Sequence, residues 1–171
     1  MIMSEVSADI LIRSVSASDA VVLLDLYQQC EDFLALGPIA EASLDMVLSD
    51  LQHSAAEHGN FCGIYLNDRL IGVVDWIPMM PAEAYAFINL LMIAREHRRK
   101  GIGYRVLQCI ESLILADPAV KGIKTAVQIN NEPARYFWNR QGYTVIADPI
   151  QNEDETTVVI LRKQVSECRT M

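Results

Sequence analysis

Two periodicities alternate along this chain. Short continuous or alternating apolar runs predict strands, and apolar residues spaced three and four apart predict helices. Asp9 to Val15, with Ile10 and Ile12 set against Leu11 and Arg13, predicts a first strand. Ser18 and Asp19 then cap a helix to about Cys30, with Ala20, Leu23, Leu24 and Tyr27 on one face. Gly37-Pro38 breaks the chain, and a second helix covers roughly Ser43 to Glu57, with Leu44, Val47, Leu48 and Leu51 inward. Phe61 to Leu66 and Leu70 to Ile77 predict strands joined by a two-residue hairpin at Asn67-Asp68. Pro78 to Pro81 reads as a loop and Ala84 to Ala94 as the next strand.

Ile102 to Ala116 predicts a helix with Ile102, Val106, Ile110, Leu113 and Ile114 inward, ended by Asp117-Pro118. A buried strand at Ile123 to Ile129 and a helix after Asn131 follow. Strands at Tyr143 to Ala147 and Thr156 to Arg162, joined by a polar loop around Gln151 to Glu155, complete the chain. This order predicts an α/β layout of the α+β type. It has a mixed sheet, an antiparallel start and one parallel crossover through the Ile102 helix. No internal repeat divides the 171 residues, so one domain spanning 1–171 is expected.

The densest chemistry lies where the Ala84 strand meets the Ile102 helix. Arg98-Arg99-Lys100-Gly101-Ile102-Gly103 places three cations and two glycines at a helix start. Glycines let backbone N–H groups approach an anion, and the helix adds the positive end of its dipole. The dinucleotide spacing G-x-G-x-x-G fails, because Val106 stands at its third position. A nucleotide P-loop fails too, because the lysine precedes the glycine and Ile102 follows it. R-x-x-G-x-G remains, after Leu91-Met92-Ile93 and before Tyr104. A second element runs from Asn130 to Tyr143. Asn131 is an N-cap, Pro133 fits a first turn, and Gly142 stops the helix. Ala134, Phe137, Trp138 and Gln141 share one face.

These two elements, in this order and separation, resemble the GNAT superfamily of N-acetyltransferases. The motif-level resemblance covers about Phe61 to Ala147; the first sixty residues match in element order. It implies a mostly antiparallel sheet of about seven strands flanked by about four helices. It implies acetyl-CoA as cosubstrate and no metal. The acyl group would pass by direct attack of a primary amine on a small molecule or peptide. The Arg98 to Tyr104 segment would grip pyrophosphate: Arg98, Arg99, Lys100, Gly101, Ile102, Gly103 and Tyr104. The backbone of Leu91, Met92 and Ile93 would hold the pantetheine arm, and one N–H there would face the acetyl oxygen. The helix carrying Asn131, Phe137 and Trp138 would pack beside the thiol arm. The resemblance also admits a homodimer.

The acid–base groups are less legible. Many relatives carry glutamate where this chain has Asn89, and an amide is no general base. Asn89 could place a water or simply bond within the sheet. Asp75, expected at a strand end, and Glu83, in the following loop, are substitute carboxylates. Trp138 stands where a tyrosine acid is common, and an indole N–H does not donate its proton at neutral pH. Trp138 is therefore expected to pack against the cofactor arm, and Tyr136 to face away. A thiol of pKa about 8.5 leaves passably without an acid. These gaps keep a second reading open, a non-catalytic acyl-CoA-binding regulatory module. His97 is expected on the surface beside the phosphate.

Bulk properties narrow the rest. The net charge of −8, from 14 basic and 22 acidic residues, argues against nucleic-acid binding. No apolar run reaches membrane-spanning length, and the N-terminus lacks the pattern of a secretory leader. Cys30, Cys62, Cys109 and Cys168 are scattered, which suits reduced thiols and a cytoplasmic location.

Overall fold

The computed structural model describes residues 2–80 and 82–165. One nine-stranded sheet organises them, in the order β1-β2-β3-β4-β5-β6-β9-β7, with β8 on β9. The strands are β1 (Met3–Ser7), β2 (Ile10–Ser14), β3 (Asn60–Leu66), β4 (Arg69–Met80), β5 (Tyr85–Ile93), β6 (Gly122–Gln128), β7 (Thr144–Val145), β8 (Ile150–Gln151) and β9 (Thr157–Gln164). The helices are α1 (Ala20–Gln28), the single turn α2 (Glu31–Leu34), α3 (Leu44–Ala56), α4 (Ile102–Ile114) and α5 (Glu132–Arg140). Every neighbouring pair is antiparallel except β5–β6, which is joined by the α4 crossover.

The sheet separates two apolar layers. On one face Ile12, Ile64, Val74, Trp76 and Ile88 meet Ile102, Val106, Leu107, Ile110 and Ile114 of α4. On the other, Phe61, Val73 and Met92 meet Leu23, Leu26, Tyr27 and Val47 of α1 and α3. Each fully buried large aliphatic side chain contributes about 1.5–3 kcal/mol. Strand alternation explains the split: Val73 and Asp75 face the α1–α3 layer, whereas Val74 and Trp76 face α4.

The sequence-based elements need several corrections. The sheet has nine strands and not about seven, because β1 and β8 are short and too polar to show an apolar pattern. Leu107 points inward on α4 and Leu113 is exposed. Leu26 is buried on α1, and Leu44 of α3 is exposed. Pro78 to Met80 continue β4 and are not a loop; the ladder is irregular between Ile77 and Met80, where a proline without N–H is tolerated. Pro81 and Cys168 lie outside the described residues. Among the described residues no helix is long and apolar enough to cross a membrane.

Two features of β5 shape the site. Asp75 pairs with Leu90 and Trp76 with Ile88, so Asn89 is an extra, bulged residue. A bulge bends its strand and raises its twist. The β5–β6 ladder ends at this point, at Ile88–Thr125, although β5 continues to Ile93 and β6 to Gln128. Thr125 Oγ1 donates to the Ile88 carbonyl at 2.9 Å where the strands part. Beyond it the β5 backbone from Asn89 to Ile93 has no β6 partner.

Candidate functional site

The parted strands lead to two unlike groups of residues. The first is the turn between β5 and α4. Gly101 is the N-cap of α4 in the left-handed region, at φ 76°, and Arg99 is also left-handed at φ 62°. No side chain caps the helix. The first N–H groups of α4, on Ile102, Gly103 and Tyr104, have no partner within the helix. Their open donors and the helix dipole suit a phosphate. A Cβ on Gly101 would meet nothing within 4 Å, so its requirement is conformational. A Cβ on Gly103 would sit 3.5 Å from Ile93 and 3.6 Å from the Phe137 ring. Gly103 thus lines the space between the end of β5 and α5.

The cations of this turn divide. The Arg98 guanidinium makes a bidentate pair with Asp32, at 2.6 and 3.0 Å, and its Nε donates to the Ile93 carbonyl at 2.6 Å. The same carboxylate group therefore receives two parallel N–H bonds, a strong and directional arrangement. That pair holds the Asp32 carboxyl below its ordinary pKa. The Arg98 side chain braces α2 against β5, and what it leaves for an anion is backbone. Arg99 and Lys100 are exposed and form no ion pair among the described residues. Tyr104 is exposed on the first turn of α4. His97 is largely buried, its Nε2 3.0 Å from Glu96 Oε1 but without hydrogen-bond geometry.

Leu91 and Ile93 are half-buried against the α4 layer, and Met92 is buried toward α1 and α3. Their side chains serve the core, and the unpaired backbone edge is what faces the parted strands. The Ile93 carbonyl is already bonded to Arg98. Asn131 is buried; its Oδ1 accepts from Ala134 N–H at 3.1 Å and caps α5. Trp138 follows on α5 and points inward. It is 6% exposed and lies in the core, edge-on to Tyr143 at 4.8 Å and to Phe137 at 5.4 Å. Phe137 is half-buried, with its ring beside Gly103 of the phosphate turn. Tyr136 faces out, as expected from its helix position, and accepts from Arg140 at 3.1 Å.

The second group surrounds a cavity of about 280 Å3, lined by Asp50, His53, Phe61, Asp75, Asn89 and Leu90. Asp75 is not at a strand end. It sits inside β4, 3% exposed. Ser54 Oγ donates to its Oδ1 at 2.6 Å, and Asn89 Nδ2 donates to its Oδ2 at 2.9 Å. Asn89 therefore bonds within the sheet at its own bulge. Gly59 makes room for this arrangement, because a Cβ there would lie 2.5 Å from Ser54 Oγ and 3.1 Å from Asp75 Oδ1. Asp50 accepts from the Tyr27 hydroxyl at 2.7 Å. Burial pushes the Asp50 carboxyl above its ordinary pKa, and the Asp75 charge adds to this; the Tyr27 bond and His53 oppose it. Burial also pushes the Tyr27 hydroxyl up, leaving it a donor throughout the physiological range.

Glu83 is not brought here. It pairs with Lys124 before the start of β5 and is exposed. Sequence reasoning missed Tyr27, Asp50, His53 and Ser54. One signal existed: Ser54 falls on the Val47–Leu51 stripe of α3, where a polar residue needs a buried partner. A further cavity of about 310 Å3 lies past the end of β6, between Leu36 to Pro38 and Asp154 to Thr157.

The chain has known counterparts. A family model described as Acetyltransferase (GNAT) family matches residues 23–143. The acetyltransferase of Salmonella typhimurium that modifies the N-terminal serine of ribosomal protein L7/L12 superposes with a TM-score of 0.81. It is 15% identical, covering 95% of this chain and 99% of that one. RimL in complex with coenzyme A, also 15% identical, gives 0.78 over 95% and 98% of the two chains. The microcin C7 self-immunity acetyltransferase MccE, bound to acetyl-CoA and AMP, gives 0.76 at 16% identity, with 94% of each chain covered. No curated protein matches the chain in sequence.

Proposed function

Because the chain belongs to the acetyltransferase (GNAT) family, an enzyme family with acetyl-CoA as cosubstrate, we propose that it acetylates a primary amine of a small molecule or peptide. The observation that carries this reading is the parting of β5 from β6, with the free end of β5 running to Ile93 beside the uncapped N-terminus of α4. A long thioester could lie along that opening, with its phosphates on α4 and its acyl end at the Asn89 bulge.

Acetyl-CoA supplies the activated acyl carbon. The backbone N–H groups of Ile102, Gly103 and Tyr104 would bind phosphate. The free β5 edge would pair with the pantetheine amides as an added strand does, with main-chain bonds. Phe137 and the absent side chain of Gly103 shape the channel between them. The acceptor would enter beside α3, where the second cavity group is polar and acidic. RimL acts on a protein N-terminus and MccE is held with AMP, which supports keeping both peptides and small molecules as acceptors. The scattered thiols support a cytoplasmic location. Burial pushes the Cys62 thiol up to about 11, away from ready ionisation.

Free-thiol release from acetyl-CoA tests the proposal, with a serine-initiated peptide, spermidine and kanamycin as acceptors. At least one should release thiol in step with acetylated product. Coenzyme A binding without release from any amine would instead favour the regulatory-module reading. Asn89 and Trp138, at positions where relatives often carry glutamate and tyrosine, are the observations behind that alternative.

A further inference from the structure

We infer that Asp50 takes the proton from the acceptor ammonium, and that Asp75 is the fixed, fully bonded group beside it. This rests on the N-acetyl transfer proposed above and adds the residue that transfer needs. Four polar groups line the 280 Å3 cavity, Asp50, His53, Asp75 and Asn89, and of its two carboxylates one is already engaged. Asp75 is engaged at both oxygens, by Ser54 and by Asn89. Asn89 is an amide and points its nitrogen at Asp75. Asp50 is bonded at Oδ2 by Tyr27, and its Oδ1 has no hydrogen-bond partner among the described residues. It lines the same cavity as Asn89, the bulge at which β5 and β6 part.

The surroundings suit that task. Tyr27 faces Asp50 from α1, His53 from α3 and Asp75 from β4; the remaining walls are Asn89 and the apolar Phe61 and Leu90. Burial and the neighbouring carboxylate make Asp50 more basic than an exposed aspartate. A base works best as its pKa rises toward the working pH.

The step balances without another reactant. The amine arrives as R–NH3+, and one proton passes to Asp50, giving R–NH2 and a neutral carboxyl. The nitrogen lone pair forms the C–N bond to the thioester carbonyl carbon. The C–S bond breaks and its electron pair leaves on sulfur. The second proton lost by nitrogen ends on that sulfur as a thiol, and Asp50 returns its proton to water.

Two measurements on the full chain test this. One is kcat/KM against pH, with the fastest acceptor among the serine-initiated peptide, spermidine and kanamycin. The other is a carbon-13 titration of the aspartate carboxyls without acceptor. The acidic limb of the rate profile should coincide with the Asp50 titration. Asp50→Asn should remove the limb and lower kcat/KM by about 10² to 10⁴-fold, the usual contribution of a positioned base. Coenzyme A should still bind. Tyr27→Phe removes a donor to the charged carboxylate, so the limb and the Asp50 titration should both move to higher pH. Asp50→Asn with the limb intact and turnover within twofold overturns the inference. So does a Tyr27→Phe profile that does not move, which decides the matter even if Asp50→Asn folds poorly. Loss of the limb in His53→Gln would reassign the role and also overturn it. A wild type that releases no thiol with any acceptor counts against the transfer reading itself, whereas an active wild type with an unaltered Asp50→Asn counts against Asp50 alone.

Discussion

The phosphate turn and the acid–base cavity meet at β5, yet they are built by opposite means. The turn is one stretch of seven residues, 98–104, and works through backbone: a left-handed Gly101, an uncapped helix start and a missing side chain at Gly103. The cavity draws Tyr27, Asp50, Ser54, Asp75 and Asn89 from four elements and works through side chains. Backbone donors need a local conformation, which a short motif specifies. A carboxylate with a shifted pKa needs burial and neighbours from elsewhere in the chain. Disturbing the turn should therefore weaken binding, and disturbing the cavity should change turnover and its pH dependence.

The largest effect on stability is expected in the α4-side core, outside both regions. The motif position of Trp138 implies packing beside the thiol arm, and its ring is buried in the core against Tyr143. Trp138→Ala should destabilise the fold by about 3–5 kcal/mol, as loss of a buried indole does. Denaturant melts would measure this. Trp138→Phe should lose far less and keep coenzyme A affinity close to wild type. A Phe variant that is stable but binds coenzyme A tenfold more weakly would return Trp138 to the cofactor channel.

Gly101→Asp sharpens the comparison from the side of the turn. Aspartate tolerates a left-handed backbone better than most residues, so the added charge at the helix N-terminus should dominate. Coenzyme A affinity should fall roughly tenfold or more, about 1.4 kcal/mol, by calorimetry. The melting temperature should change little. Equal binding would mean that the phosphates rest elsewhere.

Gly59→Ala probes the cavity with the smallest change. Its Cβ would stand 2.5 Å from Ser54 Oγ, so the Ser54 bond to Asp75 must shift. The serine hydroxyl can rotate but the Ser54 carbonyl, 3.0 Å from the added Cβ, cannot, so a stability loss of about 1–3 kcal/mol is expected, the usual range for overpacking. Turnover should drop several-fold while coenzyme A affinity holds. A drop in affinity with turnover intact would erase the division between the two regions.

The element order and the single parallel crossover were readable, because α4 and β6 carry clean apolar periods. The R-x-x-G-x-G turn was readable for the same reason as its chemistry: six consecutive positions specify it. Arg98 shows the limit of that reading. Its place in the motif suggested phosphate, but Asp32, sixty-six positions earlier, occupies its guanidinium. Glu83 shows another limit, since a lone carboxylate near the site is claimed by Lys124.

The sequence by itself determined where most of the strands and helices would form and which turn would present bare N–H groups, because those depend on neighbours within a few positions. Only the tertiary structure decided that Asp75 is buried inside β4, that the Asn89 bulge parts β5 from β6, and that Asp50 lines the same cavity with a raised pKa. Those outcomes depend on α1, α3, β4 and β5 meeting in space. Burial and the field of a neighbouring charge exist only once they do.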